Sequence, residues 1–133
     1  DKLNNSFRKL FALKREYLKY TKKVKFDDAY NEFVSKNFAE QIEKKLNKFN
    51  NIDFLLCFDS SLVAYLKVNI PIILWTDLLY SDYYDHYFKS YEISKETKNA
   101  IKNIEKKAIN NCHRILLSSK WALNKGKPLM KKP

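Results

Sequence analysis

A chain of 133 residues is long enough for one domain with its own core, and two cysteines and two histidines in unrelated places are too few for a disulfide framework or a zinc site. The formal charge of +11 would suit nucleic acid or an anionic membrane, but Lys, Asn, Ile and Tyr are all plentiful, Gly occurs once, and only Arg8, Arg15 and Arg114 are arginines. Most of the charge therefore reads as composition, and nucleic acid is a disfavoured partner.

No apolar run is long enough to cross a bilayer, and no charged-then-apolar leader opens the chain, which starts at Asp1. The expectation is a soluble, cytoplasmic domain cut from a longer chain, with peripheral membrane contact as a second option. Cys57 and Cys112 sit among apolar neighbours and are read as buried free thiols.

Leu3 to Thr21 is predicted helical, with Leu3, Phe7, Leu10, Phe11, Tyr17 and Leu18 at three- and four-residue steps and Lys and Arg opposite. The preferred reading is a helix laid on a sheet; the alternative is a basic amphipathic helix on a membrane. Asp27 or Asp28 is expected to cap a second helix running to about Phe49, with an apolar stripe of Tyr30, Phe33, Val34, Phe38, Ile42, Leu46 and Phe49. Asn50-Asn51 signals a turn.

Three short apolar runs follow, Ile52 to Phe58, Ile70 to Trp75 and Arg114 to Leu117, each ending in small polar or acidic residues: Asp59-Ser60-Ser61, Thr76-Asp77 and Ser118-Ser119. Continuous apolar runs read as strands buried on both faces. Helix-like sequence between them implies βαβ crossovers and a parallel sheet, with the polar residues gathered at the carboxyl edge, where such sheets bind ligands. Ser60 or Ser61 is expected to cap a short helix from Leu62 to Val68, which Asn69 would end in the left-handed conformation. Asp77 to Tyr91 reads as a loop or broken helix, rich in Tyr, whose rings stack well on sugars. Ser94 caps the clearest helix, to about Cys112, with Ile101, Ile104, Ala108, Ile109 and Cys112 inward and Lys95, Lys98, Lys102 and Lys106 outward. Ser119 opens a short helix carrying Trp121 and Ala122, and from Gly126 the tail lacks periodicity and is expected to be disordered, giving a domain over 1–125 and a tail over 126–133. With one glycine, neither a dinucleotide fingerprint nor a P-loop is present.

Three segments in order resemble motifs of the GT-B glycosyltransferases, in the retaining family-four-like group. They are Asn51 to Ser60; Ala64-Tyr65-Leu66 followed by Ile70 to Asp77; and Glu105 to Ala122, the last with the family's Ser-x-Trp-Ala pattern at Ser119 to Ala122. Each is weak alone; together they cover roughly the last half of the chain and agree in order and spacing. The resemblance implies an α/β, Rossmann-like open parallel sheet flanked by helices, the incomplete acceptor-side half of a GT-B fold. It also implies a hexose transfer from a nucleotide-sugar donor, bound by a second domain, to a sugar, lipid or protein acceptor. No cofactor is expected of this chain itself.

In that reading Asp77 is the candidate catalytic residue at the cleft, and Ser60, Ser61, Thr76, Tyr80 and Ser119 are candidate substrate contacts, with capping as the competing role for Asp77, Ser60 and Ser61. Trp121 is expected to pack the domain. Cys112 and His113 depart from the family's usual Ala-Asp, and its early glycine-rich loop, first strand and donor domain have no counterpart. The chain alone is therefore expected to be inactive. The alternative function is a basic α/β module that binds nucleic acid or anionic lipid.

Overall fold

Parallel pairing of three short strands sets the architecture. In the computed structural model, which describes residues 4–79 and 92–130, the elements are α1 (Asn5–Lys22), α2 (Glu32–Leu46), β1 (Leu55–Cys57), α3 (Ser60–Val63), β2 (Ile72–Thr76), α4 (Lys95–Asn111), β3 (Arg114–Leu117) and α5 (Lys120–Met130). The sheet order is β1-β2-β3, with Leu55 opposite Ile72 and Leu74 opposite Ile115. The chain is thus an α/β domain with a Rossmann-like, open, three-stranded parallel sheet flanked by helices. Leu55 N–H donates to the Pro71 carbonyl (2.8 Å) and His113 N–H to the Ile72 carbonyl (2.8 Å), while Nδ1 of His113 accepts from Ile72 N–H (3.4 Å). His113 therefore brackets the start of β2.

The core lies on one side of the sheet. Ile72 and Leu74 point into a cluster with Ala39 of α2, Val63 of α3, and Ile101, Ile104 and Ala108 of α4. The opposite face carries Leu56, Trp75 and Leu116, all exposed, with Trp75 directly opposite Leu116. Burial of the strands on both faces was the expectation, and the described residues cover only one. Crossovers between parallel strands are right-handed, so strands laid down in the order 1-2-3 send every connecting helix to the same side. A connecting helix reaches the second face only where the strand order reverses, and among these three strands it does not.

Local chemistry moves several boundaries. Asn31, not Asp27 or Asp28, caps α2, its side chain accepting from Phe33 N–H (2.9 Å). Asp27 instead accepts from Ala29 N–H (3.1 Å), and buried Tyr30 anchors the chain before the helix can start. Asp59 caps α3 in place of Ser60 or Ser61, and the helix stops at Val63. Asn69 is consequently not a helix end; Lys23 and Asn51 are the non-glycine residues with left-handed backbone among those described. Ser94 caps α4 as expected, and its predicted inner face is buried.

At the C-terminal side, α5 continues through Gly126 to Met130, beyond the point where periodicity ends. Gly126 is buried, and a Cβ there would meet Leu79 Cδ1 at 3.3 Å and Leu117 Cδ1 at 3.4 Å. The glycine is a close-packing residue rather than a terminator, which periodicity cannot register. Trp121 is exposed, and its neighbour Ala122 is the residue that packs inward.

Helix α1 does not lie on the sheet. Phe11 stacks on Phe26 (6.2 Å between ring centroids, 25° between planes) beside Val34, with Leu18 and Phe38 at the edge of this second cluster. Lys14 reaches both carboxylate oxygens of Glu96 at 2.7 Å while lying over the Phe26 ring. The Lys25 segment is tied to the start of α4 by Lys25 N–H to the Glu92 carbonyl (2.8 Å) and Ser94 N–H to the Lys25 carbonyl (3.0 Å).

Two predictions follow from this packing. Asn111 Nδ2 donates to the carbonyls of Val63 (2.7 Å), which also accepts from Leu66 N–H (3.2 Å), and Leu66 (2.8 Å), pinning the end of α3 to α4. Asn111→Ala leaves both acceptors without that donor and should lower stability by about 1–3 kcal/mol in urea denaturation. Both cysteines are free; burial, with the nearby Cys57 adding to it, pushes the Cys112 thiol from an ordinary 9.0 up to about 12. The folded state thus holds its proton more tightly than the unfolded chain does. The contribution is fully present below pH about 9 and lost as pH rises toward about 12, so stability should fall over that window and Cys112→Ala should flatten the decline.

Candidate functional site

The carboxyl ends of β1 and β2 open onto a cleft of about 520 Å³. Phe58, Asp59 and Ser60 reach it from β1, and Trp75, Thr76 and Asp77 from β2. Tyr30 enters from the segment before α2, and Glu105 comes from the inner face of α4. Leu78 and Leu79 also line it.

Several of the polar groups have a structural anchor. Asp59 Oδ1 accepts from Ser61 N–H at 2.7 Å and from the Tyr30 hydroxyl at 3.4 Å, and that hydroxyl lies 3.5 Å from Ser60 Oγ. One carboxylate therefore caps α3 and accepts from the Tyr30 hydroxyl, which in turn lies beside Ser60 Oγ. Thr76 Oγ1 donates to the Leu78 carbonyl (3.0 Å), turning the chain as it leaves β2. The Asp77 carbonyl accepts from Ser118 Oγ (3.4 Å), which ties this turn to the end of β3 and leaves the Asp77 side chain exposed. Phe58 and Trp75 face each other at 6.2 Å, tilted by 40°, and both remain exposed at the border with the uncovered sheet face.

The structure brings together Asp77, Thr76 and Ser60 of the expected site. Ser61 is buried in α3 and does not line the cleft. Ser119 also lies off its wall; its Oγ accepts from Ala122 N–H (3.1 Å) and caps α5. Tyr80 falls outside the described residues. Sequence reasoning missed Tyr30, Phe58, Asp59, Trp75 and Glu105 as members of the site. Glu105 had a signal: it sits within the stripe Ile101, Ile104, Ala108, Ile109 and Cys112 as an acid on an apolar face, and it is 1 % exposed. Asp59 had one as well, as a capping-type residue immediately before the two serines.

Among the described residues the cleft is lined by three acidic side chains, Asp59, Asp77 and Glu105, and by no Lys, Arg or His, in a chain of net charge +11. This described part of the lining disfavours phosphates and suits a neutral, hydroxyl-rich molecule. The acids do not form a metal centre: among the described residues no group of three His, Cys, Asp or Glu could hold a metal ion. No family model, curated protein or solved structure matches the chain.

The double duty of Asp59 is testable. Asp59→Asn keeps an acceptor for the Ser61 N–H and should leave stability within about 0.5 kcal/mol, whereas Asp59→Ala removes the cap at a cost of about 1 kcal/mol. Chemical denaturation of the two variants against the parent distinguishes them.

Proposed function

We propose that the cleft binds a sugar and that the chain is the acceptor-side part of a glycosyltransferase. The observation that carries this reading is the meeting of exposed Trp75 and Phe58 with Asp59, Asp77, Ser60 and Thr76 at the carboxyl edge of the parallel sheet. A flat aromatic face takes the apolar side of a pyranose, and carboxylates and hydroxyls accept from and donate to its ring hydroxyls. The acidic lining favours a neutral acceptor over the phosphates of a nucleotide sugar, in keeping with an acceptor-side role. The ordered resemblance to GT-B glycosyltransferases adds a reaction class: an acceptor oxygen bonds to the anomeric carbon of a hexose as the nucleoside diphosphate leaves. The donor, in this reading, is bound by a second Rossmann-like domain, and this chain alone does not complete the transfer.

Asp77 holds the central role. It is the exposed carboxylate at the end of β2, positioned through its backbone by Ser118, and it would accept a hydrogen bond from a sugar hydroxyl at the reacting end. Trp75 supplies the stacking platform. Asp59 is committed to Ser61 and Tyr30 and shapes the floor.

The first test is titration of the chain with simple hexoses and disaccharides, followed by the two indole N–H resonances of Trp75 and Trp121. Perturbation of the Trp75 signal while that of Trp121 stays put is the expected result. Asp77→Asn should weaken the interaction about tenfold or more, the cost of one hydrogen bond to a charged group, with unchanged circular dichroism. In a protein that joins this chain to a donor domain, the same substitution should abolish transfer. A Trp75 signal that no sugar moves would overturn the reading.

A further inference from the structure

We propose that α1 seats the protein on an anionic lipid surface, with its outward apolar stripe in the headgroup boundary and a neighbouring basic hollow taking lipid phosphates. The stripe is Leu10, Leu13, Tyr17 and Tyr20, which are 58 %, 70 %, 62 % and 74 % exposed. Steps of three, four and three residues place them along one side of the helix. Packing against the body uses a different side: Phe11, Lys14 and Leu18 meet Phe26, Glu96 and the Val34 cluster. Folding of the domain thus accounts for one apolar side of α1 and leaves the other in water. Single exposed leucines are ordinary; four large apolar or aromatic residues aligned on one helix are an interaction surface.

Charge decides what covers it. Between Asn5 and Lys22 the helix carries six basic residues against one acid, Glu16. A second copy would bring two such helices of the same sign together, in chains already at +11, and is opposed by repulsion. An anionic bilayer attracts the same charges and takes up the same apolar residues, with tyrosines well placed at the water boundary. The hollow is an independent observation. It encloses about 480 Å³ at the C-terminal end of α1, with Arg15, Lys19, Lys23 and Lys25 around Val24 and Phe26, and Glu16 as the acid in its wall. Lys19 joins hollow to stripe, its Nζ lying 5.5 Å from the centre of the Tyr20 ring. Arg15 also approaches Asp28 (3.5 Å) in an exposed pair that water screens readily. The arrangement puts several cations and an apolar floor beside the stripe, as a phosphate group attached to acyl chains requires.

Flotation with vesicles of phosphatidylcholine, with and without phosphatidylserine, tests the assignment. The chain should float only with the anionic vesicles, and less as salt is raised. Leu13→Asp should reduce binding about tenfold or more through lost apolar burial, and the pair Lys19→Glu and Lys23→Glu about tenfold or more through charge. Because these side chains are exposed, the thermal melt should be unchanged; Leu13→Gln is the milder companion if the Asp variant melts early. Failure to bind anionic vesicles overturns the proposal. So does full binding by the Leu13 variants, which would assign the effect to bulk charge. A concentration-dependent dimer in sedimentation, dispersed by Leu13→Asp, would give the stripe to a second copy. Tighter binding to duplex RNA than to vesicles, unaffected by Leu13→Asp, would give the charge to nucleic acid. Either result would also overturn it.

Discussion

The right-handed crossover is the constraint on which the rest of this structure depends. Three parallel strands in sequence order, β1-β2-β3, can be joined only by passing repeatedly over the same side of the sheet. The connecting helices α3 and α4 therefore share one side, where α2 packs with them, and Leu56, Trp75 and Leu116 stay exposed on the other face. The same constraint aligns the carboxyl ends, so that the turns after β1 and β2 meet at one edge. The cleft and the uncovered face share a cause, and Phe58 and Trp75 stand where they join. An aromatic on a fully covered parallel sheet would be core; here the topology makes it available to a ligand.

What was legible in the sequence follows the range of the interaction responsible. The three strands and the cap and inner face of α4 were readable because they rest on contiguous apolar residues and on a Ser94 side chain acting within its own helix. The chemistry of the cleft edge was partly readable for the same reason, since Ser60, Thr76 and Asp77 immediately follow their strands. Tyr30 was not: it reaches Asp59 and Ser60 across 29 and 30 residues, and its place in an apolar stripe concealed a hydroxyl aimed at the site. Burial on both faces was misjudged because a run such as Ile72-Ile73-Leu74-Trp75 states that the side chains are apolar, not that both sides find partners. Gly126 misled in the other direction, its lack of a side chain being what lets α5 approach Leu79 and Leu117.

Local charge matters more here than the total. A chain of +11 invites a phosphate-binding reading, yet the described residues that line the cleft at the sheet edge include acids and no bases. Glu105 sharpens the point. A carboxylate buried among Ile101, Ile104 and Ala108 is costly unless polar partners offset desolvation, and a position on the wall of a polar cleft gives it a setting no purely apolar core would. Its place among the residues that line the cleft puts this acid beside the site.

Helix α1 poses the converse question. Its Phe11 and Leu18 suffice to hold it on Phe26 and Val34, and Lys14 adds a charged contact to Glu96. Leucine at 10 and 13 and tyrosine at 17 and 20 contribute nothing comparable to that docking, since each stays more than half exposed. A helix required only for folding could carry Lys, Glu or Gln at those four positions with equal or better helix propensity than Tyr and with better solubility. The stripe thus has no account among the described residues. Its spacing is too regular for scattered surface residues, and its basic surroundings discourage pairing with a like copy. The physical properties that remain, an apolar band bordered by cations, are those that an interface between water and anionic lipid would use.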